Sequence, residues 1–223
     1  MDIKICTPVT GGTIDEFLSN LDKTQDISDC IELRVDTIRA LNMDYIRTIK
    51  DHTKKEAIFT CRSKEEGGQF EDPEAQRAKI LQRGIGLFDY VDIELATVKK
   101  HDFSCDEGTK IILSYHNFIE TPSYWDMQKV IFEMNKFKPD VLKIATMIQK
   151  EYEVSKLYRL LTNKPHTENR IVIGMGEKGQ ITRILAPLLG SFLTFASTPW
   201  CESAPGQIEL GEMKKMYESL ITT

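Results

Sequence analysis

Eight short apolar runs, at residues 3–6, 30–35, 57–61, 90–95, 110–115, 141–145, 170–173 and 192–196, alternate with amphipathic segments along all 223 residues of this chain. Strand-like runs separated by helix-like ones imply βαβ units, and hence a parallel sheet covered by helices. Eight such units in roughly 220 residues is the count of a (β/α)8 barrel at the small end of its range. The chain is therefore read as α/β, a single (β/α)8 TIM barrel domain over residues 1–223, with no linker or low-complexity tract. Helix starts are marked locally. Thr13-Ile14-Asp15-Glu16 matches a capping box, Asn42-Met43-Asp44 and Asp72-Pro73-Glu74 place an Asn or Asp at the N-cap, and Thr121-Pro122-Ser123 opens another helix. Further helices are expected over 150–161, 180–189 and 207–220, whereas the connection at 96–109 is short and poorly periodic, with room for a single turn.

A barrel predicts where chemistry should sit: at the carboxyl ends of the strands, facing the lumen or on the loops just after. Side chains alternate along a strand, so every second residue shares a face. Strand two ends Glu32-Leu33-Arg34-Val35-Asp36, with three charges on one face, and strand three runs into Arg62. Strand four ends Asp92-Ile93-Glu94, strand five ends Ser114-Tyr115-His116, strand six carries Lys143 and strand seven ends at Met175. Solvated strand ends explain some of this polarity. They do not explain glutamate, arginine, histidine and lysine all falling on the faces that alternation assigns inward.

Lys143 is the most informative of these. It lies within Val141-Leu142-Lys143-Ile144-Ala145-Thr146, just after the turn Lys138-Pro139-Asp140. In a sheet covered on both faces a dry lysine is costly unless it is neutral or paired. Burial lowers an amine's pKa from about 10.4, and a neutral amine attacks ketones and aldehydes, which makes Lys143 a Schiff-base candidate. The plainer alternative is an edge-strand lysine whose ammonium reaches water.

Composition narrows the partners. With 29 Lys and Arg against 34 Asp and Glu, the net charge of −5 argues against a nucleic-acid or anionic-membrane surface. An anionic small substrate would need locally placed arginines. No apolar run approaches the roughly 18 residues of a membrane span. Met1-Asp2-Ile3-Lys4 opens into a strand pattern and not a signal peptide. The five cysteines, Cys6, Cys30, Cys61, Cys105 and Cys201, form no C-x-x-C pair, as expected for reduced thiols in a cytoplasmic protein. Histidines at 52, 101, 116 and 166 lack metal-ligand spacing, so no metal is expected. Gly174-Met175-Gly176-Glu177-Lys178-Gly179 has the form of a dinucleotide fingerprint, but Ser197-Thr198 stands where the ribose-binding acid belongs. The glycines are expected to let the loop approach a ligand closely, and no cofactor is expected.

Taken in order, seven motifs resemble the type I 3-dehydroquinate dehydratases, the Schiff-base lyases of the shikimate pathway. They are Glu32-Leu33-Arg34-Val35-Asp36; Arg62 with Glu66-Gly67-Gly68; Asp92-Ile93-Glu94-Leu95; Ser114-Tyr115-His116-Asn117; Lys143-Ile144-Ala145-Thr146; Met175 through Gly179 to Arg183; and Ser203-Ala204-Pro205-Gly206-Gln207. Together they span essentially the whole chain. One departure is visible: the stretch 95–111 is shorter than the family's usual connection.

The resemblance implies a mechanism and a set of roles. Lys143 would attack the C3 ketone of 3-dehydroquinate, and the protonated imine would act as an electron sink. His116 would remove a C2 proton and return one to the departing C1 hydroxyl, with Glu66 orienting the imidazole and raising its basicity. Arg183 would bind the substrate carboxylate, and Glu32, Arg34 and Arg62 the ring hydroxyls. Met175 would pack on the ring or imine. Ser203, Ala204 and Gln207 would belong to a lid formed by the loop 199–206. Asp36, Asp92 and Glu94 would support the site residues from behind or brace the barrel. The same resemblance implies no cofactor and a homodimer. Structural alternatives stay open for several residues: a core histidine, a helix-surface arginine, a core methionine, and mutual salt bridges among Glu32, Arg34 and Arg62. Two other functions remain in view, a class I aldolase and a catalytically silent sensor of quinate-like ligands.

Overall fold

A computed structural model describes residues 3–104 and 108–221. Its strands are β1 (Ile5–Val9), β2 (Cys30–Arg34), β3 (Glu56–Thr60), β4 (Tyr90–Glu94), β5 (Lys110–Asn117), β6 (Val141–Met147), β7 (Arg170–Met175) and β8 (Thr194–Phe195). All eight pair in parallel in one sheet of order β7-β6-β5-β4-β3-β2-β1-β8. Between the two ends of that order the Phe192 N–H donates to the Arg170 carbonyl at 2.7 Å, so the sheet comes close to closing on itself. The helices α1 (Ile14–Gln25), α2 (Met43–His52), α3 (Glu74–Gly84), α4 (Leu95–Val98), α5 (Tyr124–Asn135), α6 (Val154–Thr162), α7 (Gln180–Leu188) and α8 (Leu210–Ile221) alternate with the strands, completing a (β/α)8 barrel.

Several boundaries move from where the pattern put them. β1 starts at Ile5 and runs to Val9, because its ladder with β2 extends from Cys6↔Cys30 to Val9↔Leu33. β8 shrinks to two residues, since only β1 offers it a ladder. α8 begins at Leu210, not at 207, because the Ser197↔Glu209 bridge holds the preceding residues extended. Pro73, not Asp72, caps α3, where the Gln76 and Arg77 N–H groups turn back onto the Pro73 carbonyl. At α1, Thr13 Oγ1 accepts from the Glu16 N–H, while the Glu16 carboxylate takes the Gly12 N–H, one residue earlier than a strict capping box. Asn42 and Ser123 cap α2 and α5. α4 is a single turn, and residues 105–107 of the same connection, Cys105 among them, lie outside the described residues.

Alternation sorts the strands into two environments. Leu33, Phe59, Val91, Ile93, Leu142 and Ile144 point outward into the layer shared with the helices. Cys6, Cys30, Ile58, Ile112, Val141 and Ile171 fill the lower lumen. Each such side chain stabilises the fold by about 1.5–3 kcal/mol relative to exposure. Further along the same inward faces the lumen turns polar, with Glu32, Thr60, Arg62, Asp92, Glu94, Ser114 and Lys143 all buried. No helix among the described residues is long and apolar enough to cross a membrane.

Candidate active site

Register decides which of these polar groups meet. Ser114 lies opposite Lys143 and His116 opposite Ala145 in the β5–β6 ladder. Lys143 and His116 therefore sit on adjacent strands, offset by two residues, roughly 7 Å along the strand direction. Lys143 is only 4% exposed. Of the two ways a dry lysine can be tolerated, the structure shows pairing: Nζ lies 2.9 Å from Asp92 Oδ2 and 3.4 Å from Glu32 Oε1. The ring of Phe195 lies beneath it, its centroid 4.5 Å from Nζ.

Around this lysine the charges of β2, β3 and β4 satisfy one another. Arg34 grips Asp36 with two nitrogens, at 2.9 and 2.8 Å, although Asp36 belongs to a 3-10 turn (Val35–Thr37) and not to the strand. Arg62 reaches Asp92 at 2.9 Å, Glu94 at 3.0 Å and the Ser114 hydroxyl at 2.9 Å. Arg77, from α3, takes the other oxygen of Glu94 at 2.8 Å and closes a fork onto Glu74. Burial alone would raise the Asp92 carboxyl, but the Arg62 guanidinium and the Lys143 ammonium outweigh it and hold Asp92 far below the usual carboxylate range.

His116 has a different neighbour. Glu66 Oε2 lies 2.8 Å from its Nδ1 and also accepts the His116 backbone N–H at 2.9 Å. An oxygen already accepting one N–H is best matched by a second, which leaves the proton on Nδ1 and the lone pair on Nε2. Burial, reinforced by Arg62 and Lys143, pushes the imidazole well below its ordinary pKa. The sequence reading expected Glu66 to make the histidine more basic; the balance of burial and positive neighbours runs the other way. Burial likewise pushes Glu66 up to about 8, against the pull of Arg62. Phe118 stacks on the imidazole with ring centroids 6.4 Å apart, closing the dyad off on one side.

Arg183, on α7, is buried and among the described residues its guanidinium hydrogen-bonds only to backbone: Nε donates to the Gly206 carbonyl at 2.9 Å and a terminal nitrogen to that of Pro205 at 3.3 Å. Burial lowers its pKa to about 10, only partly offset by Glu202. The loop that holds it is tied down by the Ser203 N–H donating to Gln207 Oε1 at 2.8 Å and by Arg34 reaching the Ser203 carbonyl at 3.5 Å. The glycines of the fingerprint-like loop serve this packing. A Cβ on Gly179 would lie 2.4 Å from the Gly174 carbonyl, and one on Gly206 (φ +75°) would lie 2.4 Å from that of Gly176. The close approach expected for a ligand is thus made by backbone on backbone.

Glu32, Arg34, Arg62, Glu66, His116, Lys143, Met175, Arg183, Ser203, Ala204 and Gln207 all line one cavity, with about 450 Å³ of empty space including its open mouth. Every site residue expected from the sequence is therefore in the same place. Three contributors were not foreseen in these positions. Asp92, expected to support the site from behind or to brace the barrel, touches the lysine itself. Phe195 forms its floor, a position its inward alternation on the last strand could have signalled. Arg77, spaced three residues from Glu74, has the pattern of an exposed helix pair, and nothing in that pattern reveals its burial against Glu94.

The family model for type I 3-dehydroquinase matches residues 5–222. A 3-dehydroquinate dehydratase of Coxiella burnetii is 45% identical over 217 residues, covering 96% of this chain and 92% of that protein. Another, from Methanocaldococcus jannaschii, is 33% identical and covers 96% of this chain and 97% of its own length. Among solved structures, the 3-dehydroquinate dehydratase of Geobacillus kaustophilus superposes with a TM-score of 0.86 at 24% identity, over 100% of this chain and 92% of that one. The Aquifex aeolicus enzyme does so with a TM-score of 0.81 at 29% identity, over 97% and 98%.

Proposed function

The chain belongs to the type I 3-dehydroquinase family, and from that premise we propose that it dehydrates 3-dehydroquinate to 3-dehydroshikimate through an imine on Lys143, with His116 as general acid and base. The observation that carries this reading is one cavity lined by three different tools: a buried amine, an imidazole with a bare Nε2, and a buried guanidinium that forms no ion pair among the described residues. The amine adds to the C3 ketone, water leaves, and the resulting iminium draws electrons from the C2–H bond as His116 takes the proton. The enamine then expels the C1 hydroxyl, protonated by the same histidine, and hydrolysis of the conjugated iminium returns the lysine. Glu66 holds the imidazole in the useful tautomer. Arg183 suits the substrate carboxylate, because an anion offsets charge that Glu202 compensates only in part. Glu32, Arg34 and Arg62 present polar edges to the ring hydroxyls, and Met175 packs beside them.

A sugar-phosphate aldolase is the less favoured reading. Barrels commonly bind phosphate in the loops after strands seven and eight. Here the Gly176 N–H donates to the Pro205 carbonyl at 3.1 Å, so the loop itself occupies that position. A silent sensor would have no need of the paired His116 and Glu66. We also assign the protein to the cytoplasm as one barrel domain, and to a homodimer. Trp125 (70% exposed) and Phe132 (66%), seven residues apart on α5, give the dimer an apolar face.

Borohydride added during turnover of 3-dehydroquinate should trap one substrate-derived mass on the intact protein, located by peptide mapping at Lys143. Absence of any adduct, or one on another lysine, would end the imine reading, and failure to generate the conjugated enone product would end the assignment of the reaction.

A further inference from the structure

Resting on the imine reading, we infer that Asp92 is the counter-ion of the protonated imine and so a catalytic residue in its own right. Conversion of an ammonium and a ketone to an iminium and water, R–NH3⁺ + O=C → R–NH⁺=C + H2O, sends two N–H protons away with the carbonyl oxygen and keeps one. At rest Nζ of Lys143 has three acceptors to match its three protons: Asp92 at 2.9 Å, Glu32 at 3.4 Å and the face of Phe195 at 4.5 Å. Two of these become redundant once the imine forms.

Geometry selects the one that stays. Asp92 makes the shortest contact, and its other oxygen is pinned by the Ser114 hydroxyl at 2.6 Å and by Arg62 at 2.9 Å. A carboxylate held on that side cannot follow another partner. Glu32 is less constrained: its Oε1 also accepts from the Thr60 hydroxyl at 3.1 Å, and its lysine contact is the longer one. Glu32 also lines the cavity and so is placed to turn to a substrate hydroxyl, whereas Asp92 is fully buried and does not line it. A fixed, dry negative charge beside the nitrogen keeps the imine protonated, which is the condition for it to accept electrons from C2.

The test is the pH dependence of borohydride trapping, since borohydride reduces the iminium and not the neutral imine. In Asp92→Asn the pH midpoint above which trapping is lost should fall by about one to two units, the scale of one adjacent opposite charge, with turnover down by about 10²-fold or more. Glu32→Gln removes the same charge from the other neighbour and should move the midpoint by less than about half a unit. A folded Asp92→Asn with the wild-type midpoint overturns the inference. If Asp92→Asn does not fold, Glu32→Gln decides: an unmoved midpoint leaves Asp92 as the counter-ion, and a drop of one unit or more makes Glu32 the counter-ion instead. A wild-type protein that gives no adduct at any pH would instead be a failure of the imine reading itself.

Discussion

The two sides of the cavity handle charge in opposite ways. On the wall built by β2, β3 and β4 with α3 behind it, Arg34, Arg62 and Arg77 are each met by carboxylates at 2.7–3.0 Å. On the wall built by α7 and the loop after β8, Arg183 is buried to a similar degree but, among the described residues, its guanidinium is held by carbonyl oxygens alone. The first wall is complete without a ligand. The second carries a cation whose best partner would come from outside. Equal burial therefore means different things: pairing marks the scaffold that aims Lys143, and incomplete pairing marks where an anion is to be received.

The contrast can be broken at several points. Lys143→Ala should lower turnover by about 10⁴-fold or more in steady-state assays, the scale of losing a covalent nucleophile; near-normal turnover would leave the paired wall nothing to aim. Arg62→Met should cost about 3–5 kcal/mol in denaturant melts, because Asp92 and Glu94 would each lose a buried cation and keep only Lys143 and Arg77 to offset their charge. Arg183→Met should raise KM by about 10²-fold through loss of carboxylate binding, yet leave the melting temperature unchanged or higher, since it removes a cation that burial already pushes down to about 10. A loss of stability matching that of Arg62→Met would erase the difference between the walls.

A pH-dependent effect concerns Glu66, whose carboxyl burial raises from 4.5 to about 8. The folded chain then holds a proton that the unfolded chain releases, so stability present below about pH 4.5 is lost as the pH rises through about 8. Glu66→Gln should flatten that decline by roughly 4–5 kcal/mol between those limits, about 1.4 kcal/mol for each unit of the shift, read from urea midpoints across the range; an unchanged slope would place the titration elsewhere.

How much of this was legible in advance depended on whether a residue's fate followed from its neighbours in sequence. The eight-fold alternation, the caps at Asn42 and Ser123, and the inward faces bearing Glu32, His116 and Lys143 follow from periods of two and of 3.6, which are local properties. The cap at Asp72 misled because the following proline ended the extended chain itself. The roles of Asp92 and Arg77 were not visible, since the first depends on which strand lies across the lumen and the second on how α3 packs.

The sequence alone determined that a lysine would be enclosed by parallel strands with an imidazole on the next strand, because alternation and strand order follow from the chain. Only the tertiary structure decided that the lysine would be tolerated by pairing with Asp92 and Glu32, that burial and Arg62 would set His116 and Glu66 away from their ordinary pKa values, and that Arg183 would be left facing backbone. Those outcomes come from closing the barrel, which brings together charges 51 and 111 residues apart and excludes the water that would otherwise screen them.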